Sequence, residues 1–75
     1  MERIAIHTPF IKLDALLKFS AMTGTGGEAK TVISDGLVGV NGEICRQRGK
    51  KIYPGDIVSF CGEKILVEGE TQSHQ

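Results

Sequence analysis

The sequence predicts an α+β fold, a single small domain in which two short helices pack on a small, mostly antiparallel sheet. Three observations predict it. Residues 12–21 and 25–35 repeat apolar side chains at helical spacing, and each stretch is followed by a glycine able to end a helix. Asn41-Gly42 separates Val38-Gly39-Val40 from Glu43-Ile44-Cys45, and this dipeptide suits a type I′ hairpin because both central residues tolerate positive φ. A second pair of apolar runs, around Val58 and Val67, flanks Gly62-Glu63.

In chain order, Arg3 to His7 place Ile4 and Ile6 on one side and form a short strand at a sheet edge, which Thr8 and Pro9 break. Phe10 and Ile11 lead into a helix over residues 12–21, with Leu13, Leu16 and Leu17 on its buried face and Gly24 as its C′ residue. Thr25 and Glu28 have capping-box spacing for a second helix of about ten residues, whose stripe is Ala29, Val32 and Ile33 and whose stop is Gly36. A turn of about four residues joins the two as an αα-hairpin. Tyr53-Pro54-Gly55-Asp56 reads as a type II turn, Asp56 bonding its amides. Ile57, Val58 and Phe60 then pair with Ile65 and Val67 through a two-residue type II′ loop at Gly62-Glu63. The domain is expected to cover residues 1–68, leaving 69–75 as a disordered polar tail.

A 75-residue chain buries only ~60% of the surface that its unfolded form exposes, so its core is thin and a large enclosed active site has no room. Formal net charge is zero, which argues against a polyanion partner until the distribution is considered. Residues 3–51 hold eight Lys or Arg against four acids, and Arg46, Arg48, Lys50 and Lys51 put four cations into six residues. With a Debye length of ~8 Å, such a face acts locally while distant carboxylates balance the total.

Cys45 and Cys61 lack metal-ligand spacing and are expected to be buried small apolar residues, so no metal or cofactor is expected. The first ten residues mix charge and Pro9 with apolar positions, unlike a signal peptide or a membrane span, which predicts a cytoplasmic protein. His7 and His74 are isolated and no nucleophile stands near a base, so no enzyme is expected and no small-molecule substrate. Asp14 is a first-turn acid that the helix dipole favours. The Gly24 to Gly27 segment lacks P-loop spacing.

In register, Lys12-Leu13-Asp14 with Leu16 and Leu17, Glu28-Ala29-Lys30, Ile33, Gly36, Val38, Val40-Asn41-Gly42 and Pro54-Gly55-Asp56 with Ile57 and Val58 resemble the S4 RNA-binding domain. Thr25 to Lys30 and Arg48-Gly49-Lys50-Lys51 look like the small stand-alone bacterial S4 proteins of the YaaA type. The resemblance implies an S4-like fold with its αL motif and a structured RNA partner, ribosomal RNA or transfer RNA, in ribosome assembly or translation; a non-catalytic module and a monomer are expected. It places RNA contacts at Lys12, Lys30 and the loop after Cys45, hence Arg46, Arg48, Lys50 and Lys51. Gly26 and Gly39 stand where many S4 domains carry Arg, so two phosphate contacts are missing.

A helix-end anion site at Thr25, Gly26 and Gly27 is one substitute, because glycines leave the first-turn amides unshielded. Relief of crowding in a tight interhelical turn is the other reading of the same glycines. Tyr53 is the one aromatic near the basic loop suited to stacking, so recognition of backbone shape is expected rather than base reading. The competing class is an interaction module that docks its basic loop on an acidic protein.

Overall fold

Along the chain the elements are β1 (Glu2–Ile6), β2 (Ile11–Lys12), α1 (Leu13–Phe19), α2 (Gly26–Ser34), β3 (Val38–Val40), β4 (Glu43–Ile44), β5 (Lys51–Ile52), β6 (Ile57–Phe60) and β7 (Glu63–Gly69). These come from a computed structural model that describes residues 1–69. Five strands form one sheet in the order β1-β7-β6-β3-β4, in which only the β1–β7 pairing is parallel. β1 is an edge strand, as expected. β2 and β5 form a separate two-stranded antiparallel ribbon, with Ile11 opposite Ile52 and Lys12 opposite Lys51.

The core lies between the helices and the sheet. Leu13, Leu16 and Leu17 of α1 are fully buried, as are Ala29 and Ile33 of α2, and they meet Ile6, Val38, Val40, Ile52, Val58 and Val67 in one cluster. Each large aliphatic side chain so buried contributes roughly 1.5–3 kcal/mol. The ribbon is anchored by Ile52, which is also fully buried.

Several local expectations are corrected. α1 ends earlier than residue 21, and Ala21, at φ 63°, takes the left-handed C′ position expected of Gly24. The Met22 N–H donates to the Leu17 carbonyl and the Ala21 N–H to that of Lys18, the bond pair of a Schellman motif. Its apolar lock is Met22, which packs against the core as Leu17 does. α2 keeps Gly36, at φ 77°, as its C′ residue.

The β3–β4 hairpin turns through Asn41 and Gly42, both at positive φ, as a type I′ turn requires. The β6–β7 turn instead uses Cys61 and Gly62, at φ 54° and 79°, and Phe60 faces Glu63. The expected loop differs from it by a register shift of two, which keeps the same side chains inward, so alternation cannot choose between them. The far end chooses: the Gly55 N–H donates to the Val67 carbonyl and the Val67 N–H to that of Asp56. Cys61 is therefore an exposed turn residue, whereas Cys45 is half-buried against the core. β7 extends through Gly69, opposite Ile6, and the remainder of the expected tail, from residue 70, lies outside the described residues.

Candidate nucleic-acid interface

The ribbon brings distant cations together. Because side chains alternate across a strand, Ile11 and Ile52 turn inward while Lys12 and Lys51, directly opposite each other, turn out and are exposed. Continuing the register by one step places Phe10 beside Tyr53 on the outer side. Their ring centroids are 5.9 Å apart and their planes are tilted by 50°. The Lys51 Nζ lies 4.9 Å from the centroid of the Phe10 ring, within cation–π range.

The loop between β4 and β5 is pinned, although its side chains are exposed. The carbonyl of Lys50 accepts the Leu13 N–H at 2.9 Å and that of Arg48 accepts the Asp14 N–H at 3.1 Å. These amides belong to the first turn of α1, where no intrahelical acceptor exists, and Lys12 at the cap position offers no side-chain bond. The loop thus caps α1 with its backbone and leaves Arg48 and Lys50 free to point outward. The Lys50 N–H closes the loop on the Gln47 carbonyl at 3.1 Å.

Arg46 has a second neighbour. Its guanidinium lies over Gly36, so close that a Cβ there would sit 2.6 Å from Nη2. A cation at that place, just past the C-terminus of α2, complements the helix dipole. Lys30 is exposed on α2, with its carbonyl taken by the Ser34 hydroxyl at 2.6 Å, and belongs to a helix separate from the ribbon. Among the described residues, the salt bridge formed is Arg3–Glu68 at 4.0 Å, on the β1–β7 edge, so these cations are not neutralised by described acids.

At the start of α2 the Thr25 hydroxyl accepts the Glu28 N–H at 3.1 Å, and the Glu28 carboxylate accepts the N–H of Gly24, not of Thr25, at 2.7 Å. The cap is reciprocal but shifted by one residue from a capping box. The crowding explanation for the glycines does not hold: a Cβ at Gly26 would meet nothing within 4 Å, and one at Gly27 only the Thr25 hydroxyl at 3.9 Å. Their amides are open, but the Glu28 carboxylate already stands in that field. This helix end is separated from Lys12 by the length of α1, roughly 10 Å.

Gly39 is explained by packing. A Cβ there would lie 2.8 Å from the Ser59 hydroxyl, so a side chain between the hairpin valines requires that hydroxyl to shift. Asp56 is structural, as expected: its carboxylate accepts the Tyr53 N–H at 2.9 Å and the Asn41 amide at 3.1 Å. Phe10 also lies on the ribbon's outer side, where the sequence alone does not place it. Only its register with Tyr53, set by two-residue strands, reveals it.

A family model described as the S4 domain matches residues 4–68. The chain is 41% identical over 59 residues to the probable ribosome maturation protein RlbA of Bacillus subtilis, covering 79% of this chain and 83% of that one. It is 36% identical over 59 residues to the putative RNA-binding protein YbcJ of Escherichia coli, covering 79% and 84%. The solution structure of YbcJ, described as revealing an αL motif involved in RNA binding, superposes with a TM-score of 0.70 at 32% identity over 91% of this chain and 87% of that one. With helices, hairpin and turn in the register that its sequence suggested, this chain belongs to the S4 domain family.

Proposed function

We propose that the domain is a non-catalytic, cytoplasmic, monomeric module that binds structured ribosomal RNA during ribosome maturation. The observation that carries this reading is the facing pair Lys12 and Lys51, with the Arg48 and Lys50 loop pinned beside it over the start of α1. Arg46 and Lys30 widen the positive surface, and the Gly26 and Gly27 amides behind the Thr25 cap offer a secondary phosphate contact. The names of RlbA and YbcJ support ribosome maturation and RNA as process and partner. A rigid cationic surface of this kind meets the sugar-phosphate backbone of folded RNA, whose deep major groove side chains do not enter.

The test is crosslinking in cells followed by sequencing of the attached RNA, with a variant carrying Ala at Arg46, Arg48, Lys50 and Lys51. Ribosomal RNA should dominate the parent's reads, and the variant should lose most of them. In vitro, four to six phosphate contacts give a log affinity that falls with log salt by about 0.7–0.9 per contact. Equal recovery from both proteins, or co-purification of an acidic protein that survives ribonuclease, would reject this reading. Transfer RNA as the main crosslinked species would correct the partner.

A further inference from the structure

Phe10 and Tyr53 stand outside the backbone contacts described above. The core cluster is built of aliphatic side chains, with Phe60 only packed against it, so the ribbon's two rings are not core residues in the ordinary sense. Tyr53 keeps 48% of its surface exposed while Phe10 is half-buried beneath it. The ribbon's outer face therefore carries two rings at one end and two lysines at the other.

Tyr53 is also held firmly. Its N–H is bonded to the Asp56 carboxylate, its carbonyl accepts the Asp56 N–H at 3.0 Å, and Asp56 is held in turn by the Asn41 side-chain amide. Asn41 itself is fixed by the Ile57 N–H on its Oδ1 at 2.9 Å and by its own N–H on the Ile57 carbonyl at 2.7 Å. The backbone that carries the ring is thus a bracket joining two turns, so little backbone order remains to be imposed when a partner arrives.

We propose that this ring pair is a stacking site for one unpaired nucleotide of the bound RNA, with the base on Tyr53 and its flanking phosphates on Lys51 and Lys12. The inference rests on the RNA-binding reading above and adds the class of nucleotide that the site takes. A paired base has both faces covered by its neighbours in the helix, so an exposed aromatic ring selects a loop, a bulge or a helix end. Stacking tolerates any base because every base has a π-face, and an adjacent cation adds to it. Lys51 already lies at cation–π distance from Phe10. The same ammonium that steadies the lower ring therefore faces the phosphate of a base on the upper one.

The chain has one tyrosine and no tryptophan, so intrinsic fluorescence excited at the tyrosine band reports Tyr53 alone. The probes are a hairpin RNA with an unpaired purine loop and the same hairpin with abasic sites through the loop. The purine loop should quench Tyr53 and bind about tenfold more tightly than the abasic one. Tyr53→Leu should erase that difference by weakening only the purine hairpin, and Tyr53→Phe should preserve it. Equal affinity of the parent for both hairpins, without quenching, overturns the stacking site while leaving phosphate binding intact. Failure of the parent to bind either hairpin in a salt-dependent way overturns both readings. The comparison of the two hairpins on the parent needs no variant, so a folding defect in Tyr53→Leu cannot obscure it.

Discussion

At the start of α2, Thr25 caps the Glu28 amide and the Glu28 carboxylate sits in the first turn, where the helix dipole favours an acid. At the start of α1, Lys12 occupies the cap position without a side-chain bond, and Lys51 faces it across the ribbon. The second site combines two penalties. A cation at a helix N-terminus forgoes roughly 0.3–1 kcal/mol, and like charges directly opposite each other cost a similar amount. Backbone carbonyls of the basic loop supply the missing cap and Asp14 a first-turn acid, its Oδ1 accepting the Ala15 N–H at 2.7 Å, but neither Lys12 nor Lys51 forms a salt bridge among the described residues. The difference teaches where to look for function: α2 carries its own side-chain cap, whereas at α1 two lysines face each other without a salt bridge and stand ready for an anion from outside.

Breaking the self-sufficient end should show in stability. Thr25→Ala removes the cap and leaves the Glu28 amide unpaired, a loss of about 1 kcal/mol, within a range of 0.5–2. Urea denaturation should show a lower midpoint with an unchanged slope. RNA affinity, corrected for the folded fraction, should stay near the parent's. A Thr25→Ala protein as stable as the parent would mean that the cap contributes nothing and that the two helix starts do not differ in this way.

Reversing the charge at the other end should move stability and binding in opposite directions. Lys12→Glu replaces the like-charge pair with an opposite-charge one and puts an acid where the dipole favours it, so the domain should gain several tenths to about 1 kcal/mol. RNA affinity should fall, and the salt slope should flatten by about one contact. A variant that is less stable than the parent, or that binds RNA equally well, would remove the central argument for this surface.

These two ends also mark what a linear reading of the chain can reach. The stripes of α1 and α2, the Thr25 cap, Gly36 and the Asn41-Gly42 turn follow from rules acting within a few residues, and all are present. The ribbon is different. Two residues per strand are too few to show alternation, and Ile11 finds Ile52 only through the fold, so the facing of Lys12 with Lys51 and of Phe10 with Tyr53 has no local signature. Capping of α1 by carbonyls is equally silent, because every residue carries a carbonyl. Ala21 and Cys61 adopt positive φ where a nearby glycine was the obvious choice; the Schellman bonds hold the first and the β6–β7 register the second. The cations could be read as a run, and the resemblance implied that Lys12 joins them, but the ribbon that faces Lys12 with Lys51 could not be read.

The smallest effect sharpens the comparison by giving the α2 start what α1 already has. Gly26→Arg restores the side chain that many S4 domains carry in this turn, and open space around Gly26 accommodates it. Its positive charge at the helix start costs about 0.3–1 kcal/mol, and replacing glycine with a good helix former returns a similar amount, so stability should change by only a few tenths. If the RNA backbone passes this end of α1, the salt slope should steepen by about 0.7–0.9, one added phosphate contact. An unchanged slope would confine the RNA to the ribbon and its loop, and the Gly26 and Gly27 amides would drop out of the interface. The matching change at Gly39 is not equivalent, because there the Ser59 hydroxyl of the neighbouring strand must move to admit a Cβ. The first position accepts a charge in open space, and the second does so only by displacing a neighbour.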